Sequence, residues 1–132
     1  MGLLKPIENE QAYLKAGIYG EAGSGKTFTS SKVAIGLAKK IGAKTIAFFD
    51  TETGSDYVKD KLFAPEGIDL VGLRSKVFIE CVQVINECIK SDIKILIIDS
   101  VTHLWEELIN AHLIVHRRKR LRLWDWGPLK EE

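Results

Sequence analysis

An eight-residue glycine loop restricts the possible folds of this chain more than any other part of its sequence. Residues 20–27 match the pattern G-x-x-x-x-G-K-[ST] in full. Glycines let successive backbone N–H groups curl around an anion, because no Cβ stands in the way. The helix that follows such a loop points unpaired N–H groups and the positive end of its dipole at the same anion. The loop therefore predicts a buried strand before it and a helix after it.

The residue types in this loop predict a site for the phosphates of a nucleoside triphosphate, with ATP and Mg²⁺ as the expected ligands. Lys26 supplies a mobile positive charge for the β- and γ-phosphates, which makes it a candidate catalytic residue. Thr27 offers a hydroxyl to Mg²⁺. The residues expected to bind the nucleotide are Gly20, Glu21, Ala22, Gly23, Ser24, Gly25, Lys26, Thr27 and Phe28.

Runs typical of strands alternate with runs typical of helices along the chain. The strand-like runs are short and apolar, and the helix-like ones carry apolar residues at helical spacing. We predict strands at 16–20, 44–50, 70–73 and 94–99, and helices at 26–41, 56–62, 77–88 and 103–118. Since the main strands are apolar on both faces, we expect an α/β fold with a mostly parallel sheet covered by helices on both sides. We expect one domain over residues 1–132.

Acidic residues follow two of the predicted strands, at the sheet edge where α/β proteins place their ligands. Asp99 ends the aliphatic run 95–98, and we expect it to hold Mg²⁺ together with Thr27. Asp50 and Glu52 follow the other strand, and a carboxylate there is placed to accept a proton from a water that attacks the γ-phosphate. From the residues alone, a solvated loop acid or a helix N-cap remains an alternative.

The two strand ends carry a family resemblance. Residues 48–52 (Phe-Phe-Asp-Thr-Glu) and 97–101 (Ile-Ile-Asp-Ser-Val) resemble the strand ends that flank the nucleotide in RecA-type ATPases. The chain as a whole, through residues 124–128, resembles the small RecA-like ATP-binding proteins of bacteriophages, which are linked to DNA recombination and single-strand annealing. The resemblance implies that Glu52 is the base that activates water, and that Ser100 lies beside the γ-phosphate. It also implies a homo-oligomer in which a neighbour supplies an arginine or lysine to a shared ATP site.

The resemblance has one departure, near the C-terminus. RecA-type sheets have a further strand, which follows in sequence after the strand that ends in the Asp99-type acid. In the sheet, this further strand lies between the acid-bearing strand and the phosphate-loop strand. Residues 121–126 are apolar enough for a strand. The crossover connection before them is, however, taken up by the helix at 103–118, so we do not assign them to the further strand. The sequence stops at Glu132, where the family would begin the helix that leads to the missing strand. We therefore expect the N-terminal part of a RecA-like core, incomplete at its C-terminal side.

A basic run near the C-terminus is a candidate contact for nucleic acid. Four cations follow His116, and two tryptophans at 124 and 126 lie close enough in sequence to stack on bases. The alternative is a solvated helix end whose cations favour the negative pole of the helix dipole. The residues expected to contact single-stranded DNA are Arg117, Arg118, Lys119 and Arg120. His112 and His116, four residues apart on one helical face, could form a metal pair, but no cysteine or acid lies at ligand spacing beside them, so we expect a structural or surface role.

Other features indicate the compartment and the rival functions. Lys plus Arg is 19 and Asp plus Glu is 18, so net charge favours no partner. No N-terminal signal segment and no membrane-spanning run is expected, which favours the cytoplasm, of a host cell if the chain is phage-encoded. Cys81 and Cys88 are expected about 10 Å apart on one helix, too far for a disulfide. The rival functions are a nucleotide-binding module without turnover, which needs a partner or further chain, and a P-loop kinase.

Overall fold

The computed structural model describes residues 2–7 and 13–116. In chain order, the main elements are α1 (Lys26–Ile41), β1 (Thr45–Asp50), α2 (Gly54–Val58), β2 (Asp69–Arg74), α3 (Phe78–Lys90), β3 (Leu96–Asp99) and α4 (Val101–Val115). A π-helical turn at Lys59–Phe63 and a 3₁₀ turn at Ala64–Glu66 connect α2 to β2.

The three strands form one parallel sheet in the order β2-β1-β3. In the register of the sheet, Asp50 at the end of β1 lies level with Arg74 of β2 and with Asp99 of β3. The carboxyl ends of all three strands therefore meet at one edge. Parallel strands need a crossover connection, which α2 with the two turns makes between β1 and β2 and α3 makes between β2 and β3.

Two apolar cores cover the two faces of this sheet. On one face, Ile46 and Phe48 of β1 pack with the buried side of α1 and with the π-helical turn. On the other face, Phe49 packs with Cys81 of α3 and Leu104 of α4. Since successive side chains of a strand point to opposite faces, β1 contributes to both cores. The predicted α/β fold, with a parallel sheet between helices, is confirmed.

Most predicted elements are present with small shifts of their ends. The helix at 26–41 has the predicted bounds, and the strands at 44–50, 70–73 and 94–99 correspond to β1, β2 and β3. The helix predicted at 77–88 is α3, and α4 begins two residues before the predicted 103. The short helix predicted at 56–62 is α2 together with the π-helical turn, and the last two residues predicted for α4, 117 and 118, lie outside the described residues.

The strand predicted at 16–20 is wrong. Residues 13–20 belong to no helix or strand, and the side chain of Tyr19 is 97% exposed. Within the described part of the chain, the sheet consists of β2, β1 and β3, so the backbone of 16–20 has no neighbouring strand to bond. An apolar run predicts a strand only where a partner strand exists, and the sequence pattern carries no information on that partner.

The two cysteines are free thiols, as predicted, and both are buried on the inner side of α3. Burial raises the pKa of the Cys81 thiol, and it also raises the pKa of the Cys88 thiol with a further contribution from the Glu87 carboxylate. Among residues 2–7 and 13–116, none of the helices has the length and apolar character needed to cross a bilayer.

Candidate nucleotide-binding site

The glycine loop turns into α1 as its motif predicts. Gly25, directly before the helix, has φ 92°, a left-handed conformation that side-chain-bearing residues rarely adopt. The turn is closed by the Ser24 amide, which donates to the Glu21 carbonyl at 3.1 Å. The first turn of α1 contains no acidic residue. The positive end of the helix dipole therefore faces the loop without a carboxylate from its own first turn to neutralise it.

Lys26, the first residue of α1, reaches back over the loop. Its Nζ donates to the Gly20 carbonyl at 2.7 Å and to the Glu21 carbonyl at 3.0 Å. The ammonium group therefore lies against the first residues of the loop that precedes the helix. Fixed N–H dipoles and a mobile cation together make a cradle for a multiply charged anion.

Thr27 and Asp99 come together although 72 residues separate them in sequence. The Thr27 hydroxyl donates to Asp99 Oδ2 at 2.6 Å, which joins the first turn of α1 to the carboxyl end of β3. The loop after β1 also approaches this pair, since a Cβ built on Gly54 would lie 3.3 Å from Thr27 Cγ2 and 3.7 Å from Asp99 Oδ2.

The oxygen pair of Thr27 and Asp99 fits Mg²⁺. This cation prefers hard oxygen ligands and is typically held by one or two carboxylates together with waters and substrate phosphates. The described residues contain no group of three or more histidine, cysteine, aspartate or glutamate side chains that would enclose a metal by themselves. Thr27 and Asp99 are therefore the residues that would hold Mg²⁺ beside the phosphates of a nucleotide.

Asp50 is a buried acid that organises the loop after β1. Its side chain is 1% exposed, and its carboxylate accepts hydrogen bonds from the Glu52 amide at 2.9 Å and the Ser55 amide at 3.0 Å. The Ser55 hydroxyl donates to the same carboxylate, and Arg74 Nε lies 3.9 Å from it. The alternative of a solvated acid is therefore wrong for Asp50, and its carboxylate binds the Ser55 N–H in the first turn of α2 in the manner of a cap.

Glu52 lies next along this loop, and a histidine that the sequence motifs did not single out faces it. Its carboxylate is 58% exposed, and Oε1 lies 3.4 Å from His103 Nε2. The other ring nitrogen, Nδ1, lies 3.8 Å from Glu106 Oε2. In the sequence, the available signal was the position of His103 on the helix that begins at Val101, directly after the Asp99 strand end.

A second polar contact ties the ends of β1 and β3 together. Thr51 is almost fully buried, and its amide donates to the Asp99 carbonyl at 2.8 Å. Ser100 follows Asp99 through a cis peptide bond, and its amide donates to Thr51 Oγ1, also at 2.8 Å. This hydrogen bond fixes the backbone of Ser100, the residue that follows the candidate Mg²⁺ ligand Asp99. The motif did not indicate a role for Thr51.

Comparison with known proteins decides the family. A family model described as an AAA domain matches residues 12–121, which is most of the chain and includes the glycine loop and both strand ends. The chain belongs to the AAA domain family. Comparisons with curated proteins and with solved structures gave no match.

As an AAA domain, the chain is a nucleotide-binding domain of the ATPase type, and its α/β sheet agrees with a P-loop core. In the structure the Lys26 ammonium contacts the glycine loop, and Thr27, the next residue, contacts Asp99. Phe28, also expected at the nucleotide, is half exposed on α1, and Lys32 Nζ lies 5.6 Å from its ring centre.

Two other predictions concern the C-terminal part of the AAA domain. Arg117, Arg118, Lys119 and Arg120, the candidate DNA contacts, lie outside the described residues. The rings of His112 and His116 lie 4.3 Å apart between centroids, and the His112 side chain is buried. The pair therefore packs ring against ring at the end of α4.

Proposed function

We propose that this AAA domain binds MgATP at the junction of α1 with the carboxyl ends of β1 and β3, and hydrolyses it to ADP and phosphate. The observation that carries the proposal is the 2.6 Å contact between Thr27 and Asp99, because it joins the glycine loop to a strand-end carboxylate. The Asp99 carboxylate thereby stands at the start of the helix that follows the loop, where a Mg²⁺ ion held with the phosphates would lie.

The residues of the chain divide the work of phosphoryl transfer. The backbone N–H groups of residues 20–27 and the Lys26 ammonium bind the phosphates and stabilise the charge that develops on the transferring group. Thr27 and Asp99 would hold Mg²⁺, which neutralises phosphate charge when bound. Ser100, fixed by Thr51, would lie beside the γ-phosphate. Catalysis then consists mainly of positioning and electrostatic stabilisation.

Glu52 is the proposed general base. It follows β1 at the same sheet edge as Asp99, and its largely exposed carboxylate is available to a water molecule. In the proposed step, Glu52 accepts one proton from the attacking water as the new oxygen–phosphorus bond forms and ADP leaves. Asp50 supports this role, because its buried carboxylate binds the Glu52 amide and so fixes the loop that carries the base.

The test compares binding with turnover. MgATP at 100 times its dissociation constant should stabilise the folded chain by about 2.7 kcal/mol, a rise of several degrees in Tm. We expect Glu52→Gln to keep this rise and to lower the hydrolysis rate at least about 100-fold. Glu87→Gln, at an exposed position on α3, is the matched control and should change neither quantity.

Each outcome of this test has a meaning. A Tm rise with no phosphate release would favour the nucleotide-binding module without turnover. Phosphate appearing on an added nucleoside or metabolite would favour the P-loop kinase. A Tm indifferent to MgATP would contradict the proposed site as a whole.

We further propose that the energy of hydrolysis serves DNA recombination or annealing, in the cytoplasm of a phage-infected host. This finer proposal is supported by the resemblance to small RecA-like phage proteins and by the basic run at residues 117–120. Single-stranded DNA should then raise ATP turnover at low salt, and charge reversal at Arg117, Arg118 and Arg120 should remove the increase. Turnover unaffected by DNA would contradict it.

The same resemblance supports a homo-oligomer that shares its ATP site between neighbours. The apparent mass of the chain in solution should then increase on addition of MgATP. Mixing in a Glu52→Gln chain should lower turnover by more than its share of the mixture. A mass unchanged by MgATP, with activity strictly proportional to the wild-type fraction, would contradict a shared site.

A further inference from the structure

His103 lies between two carboxylates that come from different parts of the chain. Nε2 lies 3.4 Å from Oε1 of Glu52, which belongs to the loop after β1. Nδ1 lies 3.8 Å from Oε2 of Glu106, three residues further along α4. A ring nitrogen of histidine donates a hydrogen bond when it carries a proton, and of the two carboxylates the Glu52 carboxylate lies within that reach.

The two partners of this contact differ in how firmly they are held. His103 is in the first turn of α4, and its neighbour Leu104 is buried in the core formed with Phe49 and Cys81. The ring is 30% exposed, and Glu106 contacts it from the same helix. The Glu52 side chain is 58% exposed on a loop, and only its backbone amide is fixed by Asp50. The helix therefore offers a fixed group to a carboxylate that otherwise turns about its own side-chain bonds.

We propose that His103 is a positioning residue for Glu52, which holds one carboxylate oxygen through Nε2–H and leaves the other to receive the proton of the attacking water. The ring itself is held by its place in the first turn of α4, and the Glu106 carboxylate lies 3.8 Å from its other nitrogen. This is the arrangement of a catalytic base whose direction is set by a neighbouring side chain on a helix. The inference rests on the proposed role of Glu52 and adds the residue that directs it.

A positioning role has a kinetic signature that a purely structural role lacks. Glu52 acts on the attacking water, so loss of its orientation should lower kcat while KM for ATP is unchanged. A displacement of about 1 Å in a reacting group costs on the order of 100-fold in rate. We therefore expect His103→Leu, which fills the space but donates no hydrogen bond, to lower kcat about 10- to 100-fold.

The conservative variant and the double variant sharpen the experiment. His103→Gln keeps an N–H donor and should restore much of the rate that His103→Leu loses. In the Glu52→Gln background, His103→Leu should cause no further loss, because the group that it directs is already absent. His116→Leu, in the turn that ends the same helix, is the matched control and should leave kcat unchanged. The MgATP-induced rise in Tm should persist in every variant, which shows that the site is folded.

A measurement on the chain without nucleotide tests the contact separately from turnover. In NMR spectra of the chain labelled with ¹⁵N-histidine, Glu52→Gln should shift the ring signals of His103 and leave those of His116 in place. Glu87→Gln should move neither set.

The failures of the two proposals can be told apart. If the wild-type chain hydrolyses ATP and His103→Leu has the same kcat, the positioning role is overturned and the proposed function stands. The positioning role is likewise overturned if Glu52→Gln leaves the His103 signals unmoved, or if the effects of the two variants simply multiply. If the wild-type chain binds MgATP but hydrolyses none, the proposed function fails, and the positioning role fails with it.

Discussion

At the scale of single residues, the acids at the sheet edge have separate tasks. Asp99 meets the Thr27 hydroxyl, Glu52 faces His103, and Asp50 is buried under the backbone of its own loop. Chemically equal carboxylates thus receive different roles from the donors around them. A carboxylate surrounded by backbone N–H groups fixes the chain, and one that is exposed is available for chemistry.

The structural role of Asp50 leads to a prediction for Asp50→Asn. An amide has one acceptor oxygen, so its NH₂ group would face one of the N–H donors that the carboxylate now satisfies. A buried donor left without an acceptor costs about 1–3 kcal/mol. We expect the free energy of unfolding to fall by that amount in urea denaturation. Asp60→Asn, an exposed acid in the segment after α2, is the control, and equal losses in both variants would contradict the assignment.

At the scale of elements, the glycine loop and the strands β1, β2 and β3 could be predicted because each has a local signal. The loop has its motif, and β1 is apolar on both faces. The prediction of a strand at 16–20 was wrong because a strand forms only beside another strand, and no local sequence pattern shows whether that partner exists. The contact between Glu52 and His103 could not be predicted either, since it depends on how closely the loop after β1 approaches α4.

The pairing of β2 with β1 requires a glycine at position 72. A Cβ built there would lie 1.9 Å from the carbonyl oxygen of Phe48, its partner in the register, and backbone atoms have little room to move. We expect Gly72→Ala to weaken this pair and to lower the free energy of unfolding by about 1–3 kcal/mol.

Gly36 provides the matched substitution. It is exposed within α1, and a Cβ at that position would meet no atom within 4 Å. Gly36→Ala should raise the free energy of unfolding by about 0.5–1 kcal/mol, because alanine loses less entropy in a helix. Urea denaturation of the two variants therefore has opposite expected signs, and a neutral Gly72→Ala would show that β2 is not paired closely at this point.

At the scale of the whole molecule, β1 couples the two cores, so we expect the described part of the chain to unfold as one unit. Phe49→Ala, on the α3 and α4 side, and Phe63→Ala, on the α1 side, should each lower the free energy of unfolding by about 3–5 kcal/mol. Tyr57→Ala, at a side chain 60% exposed, should cost far less.

The measurement is urea denaturation followed by circular dichroism and by tryptophan fluorescence. Coincident transitions in both signals would support a single cooperative unit. Two separate transitions in either phenylalanine variant, one for each face of the sheet, would contradict it.

Because Cys81 and Cys88 are buried, the rate at which a reagent labels them reports how often α3 opens. A thiol reagent reacts only with the thiolate, and these thiols are both covered and raised in pKa, which favours the protonated form. Because the folded state holds the thiol protons more tightly than the unfolded state, the two thiols contribute to the free energy of unfolding at pH values below the ordinary thiol pKa. This contribution is lost as the pH rises from there through the higher pKa of the folded state. Near neutral pH, labelling by Ellman's reagent should therefore be limited by how often α3 lifts from the sheet, and MgATP should slow it. Rapid labelling at the rate of a free thiol would show that α3 does not stay closed.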